Sequence, residues 1–150
     1  FNVSHSENFV GIGITCNFKI GIDIQFIKKM DDIDGIVNRF FSQKEIAMLR
    51  ETSPENKKDL FFTLWVYKES FIKAIGQGMR YPLEKFTIEP IKKNRAIVTD
   101  DSTDLSGWSF QEFNVSPEYK AAFAINTAQC EHITVCLSKN DIENLLNTIM

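Results

Sequence analysis

The chain has 150 residues, 43% of them hydrophobic and 13 of them phenylalanine, which is enough for one packed core and too little for two comfortable domains. A formal net charge of -3 excludes the basic stripe of a nucleic-acid binder, and the short pairs Lys28-Lys29, Lys57-Lys58 and Lys92-Lys93 are broken by acids. No apolar run approaches the roughly 20 residues of a membrane helix, and no stretch reads as a signal peptide. Residues 9–16 and 19–26 are expected to form a hairpin. In the second of these, Ile20, Ile22, Ile24 and Phe26 alternate with Lys19, Gly21, Asp23 and Gln25, the period of a half-buried strand. Residues 33–50 read as helical, with Ser42 and Glu45 spaced as a capping box that restarts the helix after Phe41. A loop over 51–58 precedes the main helix, 58–75, which ends at Gly76 and Gly78. Short strands are expected near 84–89, 95–99, 107–115, 119–126 and 132–137, and Ser138 and Asp141 are placed to cap a last helix over 139–149. Helices followed by a meander of strands give an α+β class.

The long helix poses the chemical question. At 100° per residue, Phe61, Leu64, Trp65, Phe71, Ile72 and Ile75 share one stripe, and Lys68 falls inside it. A lysine there either carries its ammonium to the edge or points it at an anion. Glu69 and Lys73 lie on the margin, where a simple i, i+4 ion pair contributing about 0.2–0.5 kcal/mol is the plain reading. On the strand, Asp23 and Gln25 project from one face. Asp23 alone reads as a hydrogen-bonded structural carboxylate. Packed beside the helix margin, Asp23, Gln25 and Glu69 would form a cluster of oxygens suited to Mg²⁺, with Lys73 and Lys68 facing a phosphate.

Other templates fail. There is no GxxxxGK(S/T) loop, and Gly11-x-Gly13 does not continue to a third glycine at the dinucleotide-binding spacing. Ser4-His5-Ser6 is too contiguous for a triad, whose members converge from separate segments. His5 and His132 are too few for a zinc site, and Cys16, Cys130 and Cys136 lack paired spacing, so free, mostly buried thiols in a reducing cytoplasm are expected.

The blocks "FNVSHS", "GIDIQ", "RFFSQKE" and "LWVYKESFIKAIGQG" with "YPLEKF" occur in an order that resembles the 4′-phosphopantetheinyl transferases of the surfactin-synthetase-activating type, and "SPEYKAAFA" extends the likeness more weakly. The resemblance implies an antiparallel sheet packed on a long helix, with pseudo-twofold halves in the complete protein. It makes residues 1–20 the end of the N-terminal half and 21–150 the C-terminal half, with the rest of the first half expected upstream. It implies Mg²⁺-dependent transfer of the phosphopantetheine arm of coenzyme A to a serine of an acyl or peptidyl carrier protein of fatty-acid, polyketide or nonribosomal peptide synthesis, releasing 3′,5′-ADP. Asp23, Gln25 and Glu69 then match the metal positions, with Gln25 where the family commonly has glutamate. Ser4 and His5 match residues at the 3′-phosphate end of coenzyme A. Lys73, and less firmly Lys68, match lysines at the pyrophosphate, while Glu45 is structural or peripheral. Asp23, Glu69 and Lys73 are the expected catalytic set. The competing reading is a non-catalytic module that binds carrier proteins or nucleotides.

Overall fold

The computed structural model describes residues 1–30, 32–92, 95–100, 105, 107–126 and 133–138. In chain order these form β1 (Asn2–Ser6), β2 (Phe9–Ile14), β3 (Ile20–Phe26), α1 (Ile33–Phe40), α2 (Gln43–Glu51), α3 (Pro54–Ala74), two single 3₁₀ turns (Gly78–Arg80 and Leu83–Lys85), β4 (Phe86–Lys92), β5 (Arg95–Asp100), β6 (Ser109–Glu112), β7 (Tyr119–Ile125) and β8 (Ile133–Ser138). Two antiparallel sheets result, one ordered β1-β2-β8 and the other β3-β7-β6-β5-β4. The α+β class holds. The helix expected over 139–149 lies outside the described residues.

The expected hairpin of 9–16 with 19–26 does not form. β2 pairs with β1 and β8, while β3 pairs with β7, so the link between β2 and β3 crosses from one sheet to the other. The alternation in β3 identifies its faces correctly but cannot name its neighbour. β2 lies across β3 instead: a Cβ at Gly11 would come within 2.6 Å of Ile24 Cδ1, and one at Gly13 within 2.9 Å of Ile20 Cδ1. The small glycines let the strand rest on the isoleucine side chains at both positions.

β3 is an edge strand, and the donors on its free edge are taken by side chains. Asn2 Oδ1, Ser4 Oγ and Ser6 Oγ accept from the amides of Ile22, Ile24 and Phe26 at 2.9, 3.1 and 3.0 Å. Alternate residues of β1 thus replace the carbonyls of a pairing strand for these three amides, which joins the two sheets.

The helices follow their local signals. Asp32 caps α1 through the Gly35 amide, and Ser42 with Glu45 makes the full capping box of α2. The long helix starts at Pro54, earlier than the sequence suggested, because proline in the first turn forfeits no hydrogen bond. It ends in a Schellman motif, with Gln77 N–H on Ile72 C=O, Gly76 N–H on Lys73 C=O and Gly76 at φ +72°. A Cβ at Gly76 or Gly78 would meet nothing within 4 Å, so backbone conformation and not crowding calls for glycine there. Phe61, Phe62, Leu64, Phe71 and Ile72 of α3 pack with Phe41, Phe86, Ile88 and Phe110 in the main core. Of the three cysteines expected to be free and mostly buried, Cys16 is free but exposed, and Cys130 lies outside the described residues.

Candidate active site at the crossing of β3 and α3

Gly21, Asp23 and Gln25 share the face of β3 that looks onto α3. At Gly21 the two elements nearly touch, since a Cβ would sit 1.9 Å from Ser70 O and 2.4 Å from Ala74 N. That approach brings Asp23 to the margin of the helix.

Lys73 Nζ lies 2.6 Å from Asp23 Oδ1, 2.9 Å from Ser4 Oγ and 3.1 Å from Ile22 O. The ammonium is therefore held by β1 and β3, and the plain i, i+4 pairing with Glu69 does not describe it. Asp23 is buried, and Ser4 Oγ donates to its Oδ1 at 3.1 Å. Its other oxygen, Oδ2, is buried and has no hydrogen-bond partner among the described residues. Burial pushes the Asp23 carboxyl above its ordinary range, and Lys73 and the Ser4 hydroxyl pull it part of the way back. Glu69 is half-buried and also raised, first by burial and then by the charge of Asp23, against the opposing pull of Lys73. The two carboxylates are thus close enough to feel each other.

Carboxylate and amide oxygens are hard donors of the kind Mg²⁺ takes, and a buried carboxylate oxygen without a partner is the group a bound cation would satisfy. Asp23 and Glu69 fit such an ion. Gln25 lies two residues along the same face, lining a cavity of about 230 Å³ with Lys28, Met30, Ile36, Phe61, Phe62 and Trp65. Among the described residues its amide makes a long, 3.5 Å contact from Nε2 to Phe26 O.

Lys68 is elsewhere, and its expected place at the pyrophosphate is corrected. It is fully buried, with Nζ 2.8 Å from Glu45 Oε2, 2.7 Å from Leu83 O, 2.8 Å from Phe86 O and 4.1 Å from the centroid of the Phe86 ring. Of the two options open to a lysine in an apolar stripe, it takes the anion, and the anion is the protein's own Glu45. Glu45 completes the arrangement by accepting from the amides of Ser42 and Ile88 at 2.8 Å each. Burial lowers the Lys68 ammonium and raises the Glu45 carboxyl, and each partner opposes the other's shift. This pair ties α2, α3 and β4 together.

His5 is exposed, on the face of β1 opposite Ser4, so the structure gives these neighbours different surroundings. Asn2 and Ser6 were not singled out from the sequence, although the alternation N-x-S-x-S in "FNVSHS" is the signal of their shared face.

The sequence profile of the 4′-phosphopantetheinyl transferase superfamily matches residues 19–124, which include Asp23, Glu69 and Lys73. The chain belongs to this superfamily. The 4′-phosphopantetheinyl transferase psf-1 of Bacillus pumilus is 32% identical over 148 residues, covering 98% of this chain and 62% of the relative. The 4′-phosphopantetheinyl transferase HetI of Nostoc sp. is 32% identical over 130 residues, covering 83% and 51%. The transferase Sfp of Bacillus subtilis (strain 168) is 34% identical over 125 residues, covering 81% and 53%. These matches bear out the surfactin-synthetase-activating type, and the chain spans about half the length of the curated relatives it matches. Among solved structures, a holo-(acyl-carrier-protein) synthase from Bacillus anthracis in complex with CoA (3′,5′-ADP) aligns with TM-score 0.56 at 16% identity, over 71% of this chain and 93% of that one. The synthase from Neisseria meningitidis aligns with TM-score 0.59 at 16% identity, over 71% and 95%. At that identity the likeness concerns the fold. Among the described residues, no helix is long and apolar enough to cross a membrane.

Proposed function

We propose that this 4′-phosphopantetheinyl transferase chain carries a Mg²⁺-dependent site that moves 4′-phosphopantetheine from coenzyme A to a serine of an acyl or peptidyl carrier protein. The observation that carries the reading is Asp23 Oδ2, buried beside Glu69 and Lys73 and without a hydrogen-bond partner among the described residues. Asp23 and Glu69 would hold the ion, with Gln25 on the same strand face as a third oxygen. When bound, Mg²⁺ supplies charge neutralisation on the pyrophosphate.

The residues then have separate tasks. The serine Oγ forms a bond to the phosphorus that carries the pantetheine arm. The bond from that phosphorus to the bridging oxygen breaks, and 3′,5′-ADP leaves with the oxygen. The Glu69 carboxylate, half-buried beside Asp23, is the group placed to take the serine proton. Lys73 brings positive charge to the developing negative charge of the leaving group. The resemblance adds His5 at the 3′-phosphate end. The cavity beside Gln25, apolar with Lys28 at its rim, is on the side suited to the carrier's acceptor helix.

The test is transfer itself, read as the mass gain of an apo carrier protein incubated with the chain, coenzyme A and Mg²⁺. Asp23→Asn and Glu69→Gln keep shape and remove charge, and each is expected to lower transfer by at least about a hundredfold. Full transfer by Asp23→Asn at saturating Mg²⁺ would sink the assignment. Coenzyme A binding without any transfer by the unaltered chain would favour the non-catalytic module.

A further inference from the structure

The Ser4 hydroxyl, like the Lys73 ammonium, makes three hydrogen bonds at the crossing. It donates to Asp23 Oδ1 at 3.1 Å and accepts from Ile24 N at 3.1 Å and Lys73 Nζ at 2.9 Å. A serine hydroxyl has one proton and two lone pairs, so these three bonds saturate it. With all three bonds made inside the protein, buried Ser4 has no free hydrogen-bonding capacity with which to grip a phosphate.

Each bond has a consequence for Asp23. Ser4 and Lys73 both engage Oδ1, on the side of β1, and that choice leaves Oδ2 as the oxygen without a protein donor. A carboxyl group released from Ser4 could rotate about its Cβ–Cγ bond and offer either oxygen to Lys73. We infer that Ser4 is a positioning residue, whose hydroxyl fixes the Asp23 carboxylate with Oδ2 free for a divalent cation and does not itself contact the nucleotide. The inference rests on the reading of Asp23 as a cation ligand.

The ladder between β1 and β3 supplies an internal control. Asn2 and Ser6 accept from β3 amides as Ser4 does, yet neither is bonded to Asp23 or Lys73. Ser6→Ala therefore removes a rung of the same kind and spares the carboxylate. Ser4→Ala removes the rung and the orientation together.

The experiment measures Mn²⁺ binding to the chain by electron paramagnetic resonance, without nucleotide, and coenzyme A binding by calorimetry in EDTA. Ser4→Ala is expected to weaken Mn²⁺ by about tenfold, the usual loss when the partner that orients a metal ligand is removed. Its affinity for coenzyme A in EDTA should stay within about twofold, because Lys73 keeps two of its three partners. Ser6→Ala should leave Mn²⁺ binding within about twofold. If Ser4→Ala does not fold, Ser4→Cys, which fills the space with a weakly hydrogen-bonding thiol, must show the same loss. Unchanged Mn²⁺ binding in the Ser4 variant overturns the inference, and a fall in coenzyme A affinity beside it would put the hydroxyl on the nucleotide. Equal losses in the Ser4 and Ser6 variants, or no Mn²⁺ binding by the unaltered chain, overturn it too. Mn²⁺ binding that depends on Ser4 in a chain that transfers nothing would refute the proposed function and leave this inference standing.

Discussion

Gly21→Ala is the most economical perturbation of the crossing, because it adds one methyl group and removes no polar atom. That methyl would lie 1.9 Å from Ser70 O, 2.4 Å from Ala74 N and 3.0 Å from Ala74 Cα, all of them helix backbone. Ordinary contacts need about 3.5 Å, so β3 and α3 must part by roughly 1.5 Å, and no rotamer change can relieve the overlap. Overpacking of this kind costs about 1–3 kcal/mol, a fall in Tm of about 2–4 °C for each kcal/mol in a chain of this size. Asp23 is two residues away on the same face, and displacing it by about 1 Å from Glu69 and Lys73 would lower transfer by about a hundredfold. Thermal unfolding and Mg²⁺ titration of transfer, run on one preparation, should show both effects. Gly13→Ala is the comparison, since its methyl would meet the Ile20 side chain, 2.9 Å away at Cδ1, which can turn aside. A Gly21→Ala protein with an unaltered Tm and Mg²⁺ midpoint would refute the view that this contact sets the site.

Lys68→Met should destabilise the fold by about 3–5 kcal/mol in chemical denaturation, because it leaves Glu45 charged and buried without its cation. Adding Glu45→Gln should recover much of that loss; a stable Lys68→Met protein that had lost coenzyme A affinity would instead return Lys68 to the pyrophosphate. Burial and the charge of Asp23 raise the Glu69 carboxyl, so the neutral form is favoured in the folded chain. That contribution to stability is complete below the carboxyl's unfolded pKa and is lost as pH rises through the raised folded value. Glu69→Gln should therefore gain roughly 0.5–2 kcal/mol at neutral pH while losing transfer, and a less stable variant at pH 7 would contradict the sign. Mg²⁺ binding should correspondingly fail on acidification at a higher pH than an ordinary glutamate would impose, as a calorimetric titration across the acid range would show.

The sequence was most legible where local chemistry decides. The capping box at Ser42 and Glu45, the strand period of β3 and the break at Gly76 all depend on residues within one turn or one pleat. The partner of β3 was not legible, because alternation assigns faces and says nothing about which strand fills the edge. Side chains of β1 fill it, a solution hidden behind the apparent catalytic look of Ser4-His5-Ser6. Lys68 departs from its expected place for a related reason. Its place in the apolar stripe was plain, but the anion it seeks is 23 residues earlier, in a glutamate that local rules already explained as a cap.

Glu45 does both jobs, and that overlap explains how Lys68, Glu69 and Lys73 are set on α3. Its Oε2 closes the capping box with the Ser42 amide and receives Lys68, while Oε1 receives the Ile88 amide of β4. Lys68 in turn is fixed by the carbonyls of Leu83 and Phe86. A side chain held on several sides cannot roll, and neither can the helix that bears it. Glu69 is the next residue, about 100° further round, and Lys73 is one turn beyond Glu69. The buried lysine thus sets the azimuth at which the other two charges meet β3. Lys68 is held inside, where it fixes the helix, and Lys73 is thereby kept at the helix margin against Asp23.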